Sequence, residues 1–255
     1  MEEKIQDLRV RSILVSQPKP EGEKSPYFDL AEKYKLKIDF RPFIHVEGEP
    51  VLDFRKQKIN LLDFPGVIFT SRNAVDHYFR LAEEMRITIP ESMKYFCMSE
   101  STAYYMQKYV IYRKRKIFYG KQKIQDLIPL LKKNGNETLL LPSSDLLKPI
   151  IPETLEKTKI NYKRGVFYRT VCSDLSDLAD VYYDILAFFS PSGIKSLFQN
   201  FPDFKQNNTR IATFGPTTKE AAEAYGLIVN IPAPTIEAPS MTMAIEQYVQ
   251  AANKK

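Results

Sequence analysis

Residues 188–197 read FFSPSGIKSL, where an apolar run stops at Ser190–Gly193 and an amphipathic helical pattern begins at once. Residues 67–79, VIFTSRNAVDHYF, repeat the arrangement, because apolar residues run into Thr70-Ser71 and then into a second helical pattern. A short apolar run followed by helical spacing is typical of a strand that leads into a helix. The chain therefore builds the same unit of strand, hydroxyls and helix twice.

The rest of the chain alternates in the same way. Strand-like runs lie at 12–16, 66–71, 94–99, 116–120, 138–143, 184–190, 210–215 and 228–233. Helical patterns lie at 26–34, 73–85, 101–109, 123–135, 146–158, 192–201, 217–226 and 240–255. Strands that alternate with helices predict βαβ units and parallel sheets, so we expect an α/β fold.

Two extended stretches, 37–47 and 160–171, interrupt this alternation and bracket everything between them. A chain that leaves a first domain and returns to it needs two crossings, and a pair of antiparallel extended segments supplies them. We therefore predict a discontinuous α/β domain of residues 1–40 and 172–255, a β linker of 41–50 and 160–171, and an inserted α/β domain of 51–159.

Bulk composition limits the class of protein. The 255 residues carry 37 Lys and Arg against 31 Asp and Glu, a net charge of +6 that suits an acidic ligand without demanding a polyanion. Cys97 and Cys172 lack the spacing of a disulfide framework or a metal site. The first residues, MEEKIQDLRVR, lack the apolar core of a signal peptide, and no apolar run reaches membrane-spanning length. We expect a reduced, cytoplasmic protein.

Hydroxyl side chains gather where the predicted strands end. They are Ser16, Thr70, Ser71, Ser99, Ser101, Thr102, Ser143, Ser144, Ser190, Ser192, Thr217 and Thr218. In open parallel sheets the ligand lies beyond the carboxyl ends of the strands, and a helix start there offers free N–H groups to an anion. Helix capping alone explains any single one of these residues, but the repetition favours a surface that binds carboxylates.

Several other kinds of chemistry lack their signatures. The chain has no G-x-G-x-x-G, no P-loop and no H-E-x-x-H motif. Its two histidines, His45 and His77, stand at unrelated places, which argues against a metal site or a Ser-His-Asp triad. The basic run YRKRKIFYG at 112–120 is compatible with nucleic-acid binding, but a solvated turn into a strand explains it better.

Four motifs, in their order and spacing, resemble the uroporphyrinogen-III synthase family. They are GVIFTSRNAV (66–75), VFYRTV (166–171), AFFSPSGIKSL (187–197) and IATFGPTTKEAAEAYGL (211–227). The combination of FFSPSG with the FGPTT turn that follows it is the most specific marker. The resemblance covers nearly the whole chain, from the first strand to the last helix.

This resemblance implies two flavodoxin-like parallel-sheet domains, a two-stranded antiparallel linker and an active site in the cleft between the domains. It also implies a cofactor-free enzyme of tetrapyrrole biosynthesis. Separately, we expect a monomer with no nucleic-acid or membrane partner. The implied substrate is the linear hydroxymethylbilane, which loses its terminal hydroxyl, forms an azafulvene and closes through a spiro intermediate with inversion of ring D. Holding the two ends of such a chain together is catalysis by proximity.

The family motifs also assign site residues. Tyr168 of VFYRTV is the expected catalytic residue, whose hydroxyl assists departure of the substrate hydroxyl; the alternative is that it packs at the domain junction. The residues that the motifs place against the substrate are Thr70, Ser71, Ser190, Ser192, Gly193, Thr217 and Thr218. The strand-end hydroxyls Ser99, Ser101, Thr102 and Ser143 are also expected to bind it. No metal site is expected.

The sequence departs from the family pattern at two places. Ser16-Gln17 stands where the family commonly has Thr-Arg, and Ser99 stands where glycine is usual. Lys19, Lys148 and Arg169 are candidates to replace the missing cation. The two departures favour an alternative function, a non-catalytic protein that binds a tetrapyrrole or another ligand. A flavin-binding protein is a third alternative, disfavoured because SQPKPEGEK after the first strand is not a phosphate-binding loop.

Overall fold

The structure is a computed structural model that describes residues 9–133 and 136–254. Its strands are β1 (Ser12–Val15), β2 (Lys37–Phe40), β3 (Ile44–Gly48), β4 (Gly66–Phe69), β5 (Lys94–Cys97), β6 (Ile117–Tyr119), β7 (Leu139–Ser144), β8 (Tyr162–Cys172), β9 (Ile185–Phe188), β10 (Arg210–Phe214) and β11 (Val229–Ala233). Its α-helices are α1 (Pro26–Tyr34), α2 (Val51–Lys56), α3 (Arg72–Glu84), α4 (Glu100–Tyr105), α5 (Ile124–Lys133), α6 (Ile150–Lys157), α7 (Pro191–Asn200), α8 (Pro216–Ala224) and α9 (Met241–Asn253). Short 3-10 helices cover Leu61–Asp63, Met106–Lys108 and Ser176–Leu178.

The predicted α/β fold with parallel sheets is confirmed, with differences in detail. Helix α2 follows Pro50 and was not predicted, because six residues are too few for helical spacing to register. The helix predicted at 146–158 begins at Ile150, since Pro149 disfavours a helical conformation for Lys148. The predicted ends of α5 and α9 include residues 134, 135 and 255, and these, like residues 1–8, lie outside the described residues.

The chain divides into two compact units. The first unit contains the described residues up to His45 and the chain from Val171 onward, and the second contains Val46–Thr170. The two crossings between the units therefore fall inside strands β3 and β8. The sheet of the first unit has the order β11-β10-β9-β1-β2, and all four neighbouring pairs are parallel.

The second sheet has the order β3-β8-β7-β4-β5-β6, and the pairs from β8 to β6 are parallel. When the edge strand β3 is left out, the two sheets have the same arrangement of five strands. The strands of the second sheet must then be counted from β7 to β8 and on from β4 to β6, which is a cyclic shift of their order in the chain. Strands β7, β8, β4, β5 and β6 then take the places of β1, β2, β9, β10 and β11. The helices that follow them correspond as well, so the two units repeat one architecture.

Apolar side chains fill both faces of each sheet. In the first unit Ile13 and Val15 enter one core cluster and Leu14 enters the other. In the second unit Val67 and Phe69 enter one cluster and Ile68 enters the other. Successive strand residues point to opposite faces, so these uninterrupted apolar runs belong to central strands with helices on both sides. The described part of the chain has no helix long and apolar enough to cross a membrane.

Candidate active site

Ser71 connects strand β4 to helix α3 in the second unit. Its backbone is extended, with φ −160° and ψ 167°, and its Oγ accepts a hydrogen bond from the N–H of Ala74 at 3.1 Å. Thr70, half-buried, precedes it at the end of the strand. This is the predicted hydroxyl cap at the carboxyl end of a parallel strand, where the first turn of the helix presents N–H donors and the positive end of its dipole.

Tyr168 reaches the same strand end from β8. Its hydroxyl lies 3.2 Å from the Oγ of Ser71, and its side chain is only 7% exposed. Burial raises the pKa of Tyr168; the hydrogen bond with Ser71 acts in the opposite direction, and the charge of Asp145 adds to the rise. Tyr168 is therefore a protonated phenol throughout the neutral pH range, held against a serine that also caps a helix.

Two further residues of α3, missed in the sequence analysis, surround Tyr168. The His77 ring stacks on the Tyr168 ring, with centroids 5.0 Å apart and planes inclined by 21°. The Nε of Arg80 donates to Nδ1 of His77 at 3.3 Å. Helical spacing places His77 and Arg80 on one face of α3, but no local signal shows that β8 lies against that face.

The loop after β5 carries a second group of hydroxyls. Ser99 caps α4, because its Oγ accepts from the N–H of Thr102 at 3.3 Å. The same oxygen lies 3.0 Å from the hydroxyls of both Ser101 and Thr102. Ser101 is exposed and Thr102 is buried, so Ser101 is the member of the group that solvent or a ligand reaches most readily.

The first unit has its own cap at the carboxyl end of β9. The Oγ of Ser190 accepts from the N–H of Gly193 at 3.2 Å, and Pro191 occupies the first helical position. Ser192, half-buried, lies in the same turn. A side chain at Gly193 would begin 3.7 Å from the Oγ of Ser190 and 3.8 Å from the Oγ of Ser16. Hydroxyls from two neighbouring strands thus converge on the start of α7.

Helix α8 begins differently from the prediction. Thr217 and Thr218 lie inside its first turn, and the capping position belongs to Gly215, which has φ 88° and no side chain to cap the helix. A positive φ of this size explains why glycine stands there. Thr217 is exposed and Thr218 is 1% exposed. The first-turn N–H groups of α8 therefore have no side-chain acceptor from the cap and remain available to an anion.

Ser143 occupies a different environment from the other predicted hydroxyls. It lies within β7, has no exposed surface, and donates to the backbone oxygens of Ser144 at 3.0 Å and Gly165 at 3.2 Å. Its Oγ also accepts from Nε of Arg164 at 2.9 Å. These contacts occupy the hydroxyl in a structural role, because strand β7 runs past the position where the sequence pattern ends it.

Some of the cationic side chains near these strand ends are already paired with carboxylates and others are not. Arg169 binds the carboxylate of Glu49 through two nitrogens, and Glu49 is 2% exposed. The Nζ of Lys19 lies 5.8 Å from the centre of the Phe28 ring, and Lys148 is exposed. Arg72, the first helical residue after Ser71, was missed in the sequence analysis. Its guanidinium lies 5.4 Å from the centre of the Tyr105 ring, and no carboxylate in the described part of the chain pairs with it.

Apart from Ser143, the predicted site residues form four groups, two of which are those described after β5 and at the start of α8. Ser71 and Tyr168 are in direct contact in the second unit, with Thr70 beside Ser71; Ser190, Ser192 and Gly193 form one helix start in the first unit. Each group combines hydroxyls with helix-start amides, an arrangement that binds carboxylates. Among the described residues, no cluster of three or more His, Cys, Asp or Glu side chains could hold a metal ion.

Comparison with known proteins identifies a family and individual proteins that this chain is similar to. The family model of uroporphyrinogen-III synthase HemD matches residues 26–243. The uroporphyrinogen-III synthase of Chlorobaculum parvum is 25% identical over 94% of this chain and 100% of its own length. That of Saccharomyces cerevisiae is 28% identical over 49% of this chain and 50% of its own length.

Solved structures show the same fold at lower identity. The Helicobacter pylori uroporphyrinogen-III synthetase aligns with a TM-score of 0.59 and 20% identity, covering 94% of this chain and 99% of that chain. A mutant uroporphyrinogen III synthase from Thermus thermophilus aligns with a TM-score of 0.51 and 14% identity, covering 96% of this chain and 100% of that chain.

Proposed function

The chain belongs to the uroporphyrinogen-III synthase family, and we propose that it closes hydroxymethylbilane into uroporphyrinogen III with inversion of ring D. The resemblance found in the sequence motifs is thus confirmed at the level of the family. The observation that carries the proposal for this chain is the contact between the hydroxyls of Tyr168 and Ser71, 3.2 Å apart at the carboxyl edge of the second sheet.

We assign substrate binding to the hydroxyls and the helix starts at the strand ends. The substrate carries a carboxylate on every acetate and propionate arm, and carboxylates accept hydrogen bonds from hydroxyls and from first-turn N–H groups. We assign this role to Thr70, Ser71, Ser99, Ser101 and Thr102 in the second unit. In the first unit we assign it to Ser190, Ser192, Gly193, Thr217 and Thr218. Ser143 is left out of this set, because it lies within β7 and not at a helix start, and its hydroxyl is bonded to Arg164 and two backbone oxygens.

Tyr168 assists the first chemical step. Electron density from the pyrrole nitrogen expels the terminal hydroxyl, and the phenol donates its proton as the C–O bond breaks, so that water leaves and an N-protonated azafulvene forms. The phenolate then takes up the proton of the pyrrole N–H, which gives the neutral azafulvene and restores the phenol. The developing phenolate is stabilised by a hydrogen bond from the Ser71 hydroxyl. Proton donation of this kind accelerates reactions by about 10²–10⁴-fold. We expect the low end of this range, because the pyrrole nitrogen itself pushes out the leaving group.

The finer architecture is part of the same proposal. We infer two flavodoxin-like domains, since the first unit has the strand order 2-1-3-4-5 of that fold when its strands are numbered along the chain. A two-stranded β linker is supported by β3 and β8, which are neighbours and contain both crossings. These crossings fall within the predicted segments 41–50 and 160–171. We also propose a cytoplasmic monomer, consistent with two free cysteines.

The decisive experiment supplies freshly generated hydroxymethylbilane and identifies the product. Closure with ring D inverted supports the synthase, whereas binding without turnover supports the non-catalytic alternative that Gln17 and Ser99 favour. We expect Tyr168→Phe to lower kcat roughly tenfold or more with little change in KM, because only the transition state uses the hydroxyl fully.

A matched control for Tyr168→Phe is Tyr78→Phe. Tyr78 is a second buried tyrosine of the same unit, and its hydroxyl has no hydrogen-bond partner in the part of the chain that the structure describes. Removing this hydroxyl should leave kcat unchanged and should not lower the melting temperature. If Tyr168→Phe turns over like the parent while Tyr168→Ala fails and melts early, Tyr168 is a packing residue.

A further inference from the structure

Helix α3 contacts Tyr168 at two points. Ser71, the cap of α3, contacts the Tyr168 hydroxyl at 3.2 Å, and His77 covers a face of the ring with a centroid distance of 5.0 Å. A phenol ring whose face is covered cannot rotate freely about its side-chain bonds. The direction of the Tyr168 hydroxyl therefore depends on His77 as well as on Ser71.

Arg80 fixes the tautomer of His77. A guanidinium only donates hydrogen bonds, so Nδ1 of His77, 3.3 Å from Nε of Arg80, must carry a lone pair, and the ring proton of the neutral imidazole lies on Nε2. The same arginine donates through Nη2 to the carbonyl oxygens of Glu49 at 2.8 Å and Phe167 at 3.4 Å. Arg80 thus ties His77 to the backbone of the residue that precedes Tyr168.

We propose that His77 is a positioning residue, whose neutral imidazole holds the Tyr168 ring so that its hydroxyl meets Ser71 and the departing hydroxyl of the substrate. This inference rests on the proposed role of Tyr168. This role differs from a purely structural one, because His77 affects the rate only through the O–H group of Tyr168. A misplaced donor loses much of its effect on rate even when substrate binding is unchanged.

The pH dependence follows from the groups that face His77. Burial and the Arg80 cation lower the pKa of His77. The carboxylates of Asp76 and Glu84 on α3 act in the opposite direction. Tyr168 on β8 is an uncharged phenol. Protonation of Nδ1 also removes the acceptor that Arg80 uses. His77 is therefore neutral above its ordinary pKa of about 6.5 and becomes charged only below it. We expect kcat to be constant at neutral pH and to fall as the solution becomes more acidic than this value.

The test is a double-mutant cycle with ring D inversion as the readout. His77→Ala should lower kcat roughly threefold to tenfold, as expected for the loss of one aromatic pair, with KM unchanged. His77→Phe keeps a stacked ring and should retain most of kcat while losing the acid limb of the pH profile. In the Tyr168→Phe background, His77→Ala should cause no further loss of kcat, because its target hydroxyl is already absent.

A second measurement does not depend on turnover. The chain contains two histidines, so His45→Ala leaves His77 as the only imidazole in a protein without a histidine tag. Its nitrogen NMR spectrum should show the proton on Nε2 and a pKa below about 6.5. His45→Ala itself should leave kcat and its pH profile unchanged. A proton on Nδ1, or a pKa at or above the ordinary value, would overturn the inference.

The kinetic outcomes separate the two proposals. If Tyr168→Phe loses kcat but His77→Ala matches the parent, only the inference about His77 fails. It also fails if His77→Ala costs the same factor in the Tyr168→Phe background, since His77 then supports the fold and not the hydroxyl. If Tyr168→Phe matches the parent, the proposed role of Tyr168 and that of His77 fall together.

Discussion

Arg72 is a candidate to replace the cation that the family pattern has and this chain lacks at Gln17. Gln17 stands where arginine is common, and the sequence alone suggested Lys19, Lys148 or Arg169 as replacements. Arg169 binds the carboxylate of Glu49, whereas Arg72 follows Ser71 directly, lies over the face of Tyr105 and pairs with no carboxylate among the described residues. A cation held over an aromatic ring keeps its donors free for a carboxylate. Arg72 is therefore the better candidate to bind an arm of the substrate.

This assignment predicts a binding defect in Arg72→Gln. We expect KM to rise roughly threefold to tenfold while kcat stays close to the parent value, because an exposed ion pair contributes modestly and equally to ground and transition states. Steady-state kinetics measures both constants. Arg55→Gln is the matched control, since Arg55 is exposed on α2 and its loss changes the net charge equally. Equal effects of the two variants would show that only overall charge matters.

At the scale of the element, helix α3 links stability to the site. Its cap Ser71, its first residue Arg72 and its half-buried His77 all come from one stretch of chain. The hydroxyl cap was predictable from the sequence because capping is local. The stacking of His77 on Tyr168 was not, because it joins residues far apart in the chain. The bonds of Ser143 to Arg164 and to two backbone oxygens were not predictable either, since a hydroxyl near a strand end looks the same in sequence whether it faces a ligand or Arg164.

Two serine caps allow stability and turnover to be separated. Ser71 caps α3 and Ser240 caps α9, and each accepts one backbone hydrogen bond, at 3.1 Å and 3.2 Å. Replacement of either by alanine should lower the free energy of unfolding by about 1 kcal/mol, measured by urea denaturation. Only Ser71→Ala should also lower kcat, because only Ser71 contacts Tyr168. A similar fall of kcat in Ser240→Ala would mean that helix stability alone controls turnover.

At the scale of the whole molecule, we expect the net positive charge to strengthen binding of the substrate. A net charge of +6 and hydroxyl-rich strand ends face a substrate with several carboxylates. We expect KM to rise when the salt concentration is raised from about 0.05 to 0.5 M, while kcat changes less, because screening weakens attraction more than positioning. An equal osmolarity of sucrose is the control. A KM that does not change with salt would indicate that hydrogen bonds alone hold the substrate.

The cyclic shift between the two sheets has a consequence for the history of the chain. Residues 12–133 and 139–253 follow one order of elements, β-α-β-β-α-β-α-β-α, once β3 and α2 are set aside. Yet each sheet takes two strands from one of these halves and three from the other. We infer that an ancestral gene was duplicated in tandem and that its two products exchanged their first two strands. In the observed arrangement each sheet contains strands of both halves, so separate expression of the halves should yield this fold only when both are present.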